Sequence, residues 1–161
     1  MSAWTIVATP VDDLLVQTDG SAVTGIEFAP HRPAVGERDD SHPVLVTARA
    51  QLEDYFARDR HDFDLPLRPA GTPFQQRVWE ALRTIPYGRT VTYGEVARRI
   101  GVDPRTTSRA VGTANGSNPI PVVIPCHRVI GANGTLTGFG GGLEMKEKLL
   151  RIEGSMPASL F

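Results

Sequence analysis

Three short runs rich in β-branched and aromatic residues open the chain, residues 4–8 (WTIVA), 14–18 (LLVQT) and 23–28 (VTGIEF). Each has the length and composition of a strand. Asp19-Gly20 separates the last two and signals a tight type I′ hairpin, because glycine tolerates the positive φ such a turn needs. The pattern predicts an antiparallel meander. Residues 29–40 mix proline, glycine and charge and read as a loop. From Ser41 the period changes: Val44, Ala48, Leu52 and Tyr55 or Phe56 recur at helical spacing, with Ser41 as a capping candidate and Pro43 near the start. Residues 60–70 read as an exposed linker.

Beyond residue 71 the helix signals are stronger. Thr72, Pro73 and Gln75 spell a capping box ahead of a face made by Phe74, Val78, Trp79 and Leu82. Thr92 and Glu95 repeat the device, and Gly101 closes that second helix. Asp103 caps a third, with Pro104 first and an end near Gly116. Two short helices joined by a tight turn suggest a helix-turn-helix. On the third helix Thr106, Arg109, Ala110 and Thr113 share a face that is small apart from one arginine. Such a face suits a narrow groove entered by a single wedge, and it equally suits close packing against another helix. An apolar run, read as a strand, then leads into Pro125, Cys126 and His127.

A chain of 161 residues can bury a core without staples. Its near-zero net charge hides a division: residues 1–70 hold 6 Arg against 12 Asp and Glu, a balance of −6, while residues 71–161 hold 11 Lys and Arg against 6 Asp and Glu, a balance of +5. The basic half can attract phosphate while the acidic half stays clear of it. One cysteine excludes an internal disulfide and a multi-thiolate zinc site, and the other three histidines are scattered, so no dedicated zinc site is expected. The first residues have no signal-peptide pattern and no segment is long and apolar enough for a bilayer, which makes the expected location cytoplasmic.

A free thiol is only a few per cent ionised at neutral pH unless a base or positive charge assists it. His127 is the neighbouring base, and Glu153 is one of six acids in the basic half that could orient it. Residues 131–142 (GANGTLTGFGGG) lack the lysine of a phosphate loop. Their glycines leave room for a flat ring that Phe139 could stack on.

Taken together, residues 118–131 (NPIPVVIPCHRVIG), 92–97 (TYGEVA), 108–115 (SRAVGTAN) and 136–142 (LTGFGGG) closely resemble the methylated-DNA--protein-cysteine methyltransferases, the O6-alkylguanine-DNA alkyltransferases. The ordered motifs span residues 71–154, with a weaker fit before them. The resemblance implies an α/β N-terminal domain, ribonuclease H-like with an antiparallel sheet plus helix, over residues 1–70. A mostly helical C-terminal domain with the helix-turn-helix follows over residues 71–161. It implies stoichiometric, irreversible transfer of the alkyl group of O6-alkylguanine to Cys126, after the base is flipped from the minor groove of double-stranded DNA.

Within that resemblance His127 is the water-mediated base, Glu153 orients it, and Asn118 links the recognition helix to the site. Tyr93 rotates the phosphate and can donate to the guanine. Val129, Phe139, Gly140 and Gly141 bound the guanine pocket. Arg109 replaces the extruded base, with Thr106, Ala110 and Thr113 on the DNA-facing surface. No cofactor, metal or membrane is implied, and the protein is expected to be monomeric, with cooperative assembly on DNA left open. Two departures are visible: Phe139-Gly140 where some relatives have Tyr-Ser, and Asp12-Asp13 in a turn where glycine is common. The residues alone also admit a lesion-binding module with a structural cysteine, or a cysteine hydrolase. The transferase reading requires the sulfur to be accessible and ionisable.

Overall fold

The computed structural model describes residues 1–132 and 142–155. They fall into two compact units: Met1–Ala70 with Pro119–Val123, and Gly71–Asn118 with the described residues from Ile124 onward.

In the first unit β1 (Ala3–Ala8), β2 (Asp13–Thr18) and β3 (Val23–Glu27) form the antiparallel meander. A two-residue strand, β4 (Glu37–Arg38), adds to β1 in parallel inside the segment read as loop, so the sheet order is β3-β2-β1-β4 and the sheet is mixed. Leu14, Leu15 and Val16 are all buried, so β2 is covered on both faces and does not alternate. The β2–β3 connection is a four-residue loop, with Asp19 Oδ1 accepting from the amides of Ser21 and Ala22 and only Gly20 at positive φ. The aspartate side chain takes over the turn that a two-residue type I′ loop would otherwise make.

Helix α1 (Pro43–Phe56) packs on this sheet through Leu45, Ala48, Leu52 and Tyr55. Its cap is His42, whose ring nitrogen accepts from Val44 N–H at 3.2 Å; Ser41 instead donates to Asp39. Residues 60–70 are no free linker. Val23 bonds Pro66 and Arg68 through the main chain, Leu65 is buried, and the Gln51 amide clasps both backbone groups of Asp64.

The second unit is helical. Helix α2 (Pro73–Leu82) has its capping box and buries Val78, Trp79 and Leu82, while Phe74 is half-buried. Helix α3 (Tyr93–Arg99) starts on the Thr92–Glu95 box with the acid in its first turn and ends on Arg98 and Arg99, charges that suit the helix dipole at both ends. Gly101, at φ 80°, lets the chain turn into α4 (Pro104–Gly116), capped by Asp103. Trp79 Nε1–H donates to the Ala114 carbonyl at 2.8 Å and ties the end of α4 to α2. A two-stranded parallel pair, β5 (Val91–Thr92) with β6 (Val129–Ile130), has no periodicity to reveal it in the sequence. Helix α5 (Leu143–Ile152) buries Met145, Lys146, Leu149 and Leu150.

The apolar run before Cys126 is a chain of turns, not a strand. Pro121 and Pro125 withhold two amide donors, and Val122 takes φ 74°, a left-handed conformation that β-branched residues rarely adopt.

Candidate active site

A single 3₁₀ turn, Cys126–Arg128, is the centre of the site. Pro125 precedes it at φ −81°, Cys126 N–H donates to Ile124 at 2.8 Å, and Val129 N–H closes the turn on the Cys126 carbonyl. Side chains on such a turn diverge by about 120° per residue. Cys126 and His127 therefore project in different directions although they adjoin in sequence.

His127 and Arg128 both converge on Glu153, which ends α5. His127 Nε2 lies 2.7 Å from Glu153 Oε2, Arg128 Nε 2.8 Å from Oε1, and a terminal guanidinium nitrogen 3.0 Å from Oε2. The other terminal nitrogen donates to the Ile85 carbonyl at 2.6 Å, and the guanidinium sits 5.7 Å from the Tyr87 ring centroid. All three charged or titratable residues are buried. Burial alone would raise the Glu153 carboxyl, but His127 and Arg128 together hold it down to about 2. Burial lowers the His127 imidazole against the pull of Glu153, so the ring is neutral at pH 7. A neutral ring facing a carboxylate with Nε2 must carry its proton there and donate it. Its lone pair is then on Nδ1, which is buried without a hydrogen-bond partner among the described residues.

Cys126 is 3% exposed, and burial pushes its thiol up to about 11, partly offset by Asn118 and by the Lys146 ammonium. The expectation of an accessible sulfur is therefore corrected for the resting protein: the sulfur is covered, and it is ionisable only well above neutral pH. Asn118 Nδ2 donates to the Ile124 carbonyl at 2.8 Å, at the base of the turn. Fully buried Lys146 donates to the Val129 carbonyl, with its nitrogen 6.0 Å from the Tyr93 ring, and burial lowers it to about 8.

Thr106, Arg109, Ala110 and Thr113 are all exposed along one side of α4, while Val111, Ala114 and Asn115 are buried on the other. Of the two meanings of the small face, the solvent-presented one holds among the described residues. Tyr93 begins α3 half-buried, and Val129 is fully buried. Phe139, Gly140 and Gly141 lie outside the described residues. No group of three or more His, Cys, Asp or Glu among the described residues is placed to hold a metal.

Three participants escaped sequence reasoning: Asn115, Arg128 and Lys146. Lys146 had a signal, since Lys146, Leu149, Leu150 and Glu153 form one stripe at spacings of three and four, with a charge at each end of its apolar middle.

Two family models match the chain. That for the 6-O-methylguanine DNA methyltransferase ribonuclease-like domain covers residues 3–69, and that for the same family's DNA-binding domain covers residues 73–155. A methylated-DNA--protein-cysteine methyltransferase of Methanosarcina acetivorans is 45% identical over 155 residues, 94% of this chain and 98% of that protein. One from Haemophilus influenzae is 47% identical over 154 residues, 93% and 85% of the two chains. A crystal structure of Mycobacterium tuberculosis OGT in complex with DNA superposes with a TM-score of 0.86 at 44% identity, covering 98% of this chain and 97% of that one.

Proposed function

The chain belongs to the 6-O-methylguanine DNA methyltransferase family, whose members repair DNA by moving an alkyl group onto one of their own cysteines, and from that premise we propose that Cys126 is the acceptor. One observation carries the assignment: the sequence contains a single cysteine, and it heads the turn whose next residue is the buried histidine on Glu153.

The chemistry follows from the protonation states. Cys126 arrives as a thiol, so its proton must leave as the sulfur attacks. His127 Nδ1 takes that proton through a bridging water, and Glu153 stabilises the imidazolium that results. The sulfur forms a bond to the alkyl carbon while the bond from that carbon to guanine O6 breaks. The electron pair stays with the base, which regains a proton and leaves as guanine. An S-alkylcysteine thioether has no activated carbonyl for water to attack, so each molecule acts once.

A base inside a duplex is out of reach and is extruded at a cost of a few kcal/mol, less where an adduct already weakens pairing. The helix-turn-helix formed by α3 and α4 reads the minor groove with its small face, and Arg109 fills the gap left by the base. Asn118 couples α4 to the reactive turn, Tyr93 engages the phosphate, and Val129 with Phe139, Gly140 and Gly141 bounds the guanine. Residues 1–70 and 71–161 act as the two domains, and the protein works as a cytoplasmic monomer. No helix among the described residues is long and apolar enough to cross a membrane.

Intact-mass analysis after mixing with a duplex carrying O6-methylguanine tests the proposal. One methyl on the Cys126 peptide, saturating at one per molecule and absent in Cys126→Ala while duplex binding persists, is expected. Duplex binding with no mass gain leaves a lesion-binding module, and repeated turnover of a small ester would identify a hydrolase.

A further inference from the structure

Asn115 occupies the last turn of α4 and is fully buried. Its Nδ2–H donates to the carbonyl of Cys126 at 3.2 Å, and its Oδ1 is buried without a hydrogen-bond partner among the described residues. The carbonyl fixes which way the amide faces, because a flipped amide would oppose two acceptors. The next residue back, Ala114, is held by the Trp79 indole, so the amide projects from an anchored piece of helix. A residue that only filled space here would be better replaced by an apolar side chain, since an orphaned buried acceptor lowers stability. The Cys126 carbonyl has a second donor in Val129 N–H and does not depend on Asn115 for satisfaction.

We infer that Asn115 is a positioning residue for alkyl transfer: by holding the main-chain carbonyl of Cys126 itself, it fixes the direction of the sulfur relative to the exposed face of α4. Asn118 holds the chain two residues earlier, at Ile124, so two amides from one helix end grip the reactive turn from before and at the acceptor. Seating α4 on a duplex and aiming the sulfur then become one geometric event. This rests on the reading of Cys126 as acceptor.

The test uses two variants of the full chain and single-turnover transfer from a duplex containing O6-methylguanine, with rates divided by the folded fraction. Asn115→Leu removes the donor and the orphaned acceptor while keeping the branching of the side chain's heavy atoms. It should keep its thermal midpoint, bind unmodified duplex within about twofold of the parent, and transfer at least about tenfold more slowly, the scale set by small misplacements of reacting groups. Asn115→Asp keeps the shape but can donate to the carbonyl only while the introduced carboxyl is protonated, the form that burial favours. Its rate relative to the parent should fall as pH rises, the ratio removing the titrations of Cys126, His127 and Lys146 that both proteins share. A transfer rate within about twofold for Asn115→Leu, a loss accounted for by unfolding, or a constant ratio for Asn115→Asp would each overturn the inference. Should the parent itself place no methyl on Cys126, the acceptor assignment fails instead, and the control identifies that case.

Discussion

Replacing Glu153 by glutamine removes one negative charge from a site where a guanidinium and an imidazole both depend on it. The carboxyl is held from its ordinary 4.5 down to about 2. Deleting one partner of a buried ion pair costs about 3–5 kcal/mol. Arg128 keeps its bond to Ile85 and its place beside the Tyr87 ring, which argues for the lower end of that range. With roughly 2 kcal/mol per molar urea for a chain of this size, the midpoint of Glu153→Gln should fall by about 1.5 M at pH 7. The pH dependence gives a second readout. A depressed carboxyl stabilises the fold above its unfolded pKa and ceases to do so as pH falls through the folded one, because the unfolded chain binds the proton first. The carboxyl's share of the difference between parent and variant should therefore shrink steadily between about 4.5 and 2. A difference below about 1 kcal/mol at pH 7, or one that persists unchanged to pH 2, would refute the ion-pair account.

Three further outcomes can be checked. Arg109→Ala, at an exposed position, should leave thermal stability within about 0.5 kcal/mol yet slow transfer from duplex far more than transfer from a free O6-alkylguanine base; equal losses would remove the wedge role. Carbamidomethylation of Cys126 by iodoacetamide in the free protein should accelerate about tenfold per pH unit from neutrality toward about 11, and a plateau near pH 9 would show an unperturbed thiol. Gly71→Ala would drive a methyl group into the buried Trp79 indole, whose Nε1–H is committed to Ala114, and should lower stability by about 1–3 kcal/mol in a thermal melt.

How much the sequence reveals differs from one part of the chain to another for physical reasons. The caps of α2, α3 and α4 were legible because Thr72, Thr92 and Asp103 satisfy amides only two or three residues away. The stripe of α1 was legible at Ala48, Leu52, Tyr55 and Phe56, which are buried, whereas Val44 in the first turn is only half-buried and its neighbour Leu45 takes the core position there. β4 and the β5–β6 pair are two residues long, too short for any period, and exist only because a distant strand offers them bonds. Cys126 and His127 could be named from residue type, and Glu153 was one acid among six until the resemblance singled it out, whereas the burial of the sulfur could not be read, since it depends on packing from segments far apart in the chain. Asn115 was hidden for a related reason: on a helix face it looks like any polar residue, and only the return of the chain 11 positions later brings the Cys126 carbonyl to it.

The covered, protonated sulfur is best understood through the irreversibility of what it does. A thiolate exposed at rest would react with any diffusing electrophile, and because the thioether cannot be undone, every such event would remove a molecule before it met a lesion. Burial suppresses the thiolate, while His127, the base proposed to accept the proton, is kept neutral beside a carboxylate that can stabilise its charge. Neither device serves a multiple-turnover cysteine enzyme well, since such an enzyme benefits from a standing thiolate in each cycle. The cost falls on the approach of substrate, when the proton must move within the same step as the attack. That requirement places more weight on geometry than on intrinsic nucleophilicity, which is consistent with a turn gripped at Ile124, Cys126, Val129 and Arg128 by the side chains of Asn118, Asn115, Lys146 and Glu153.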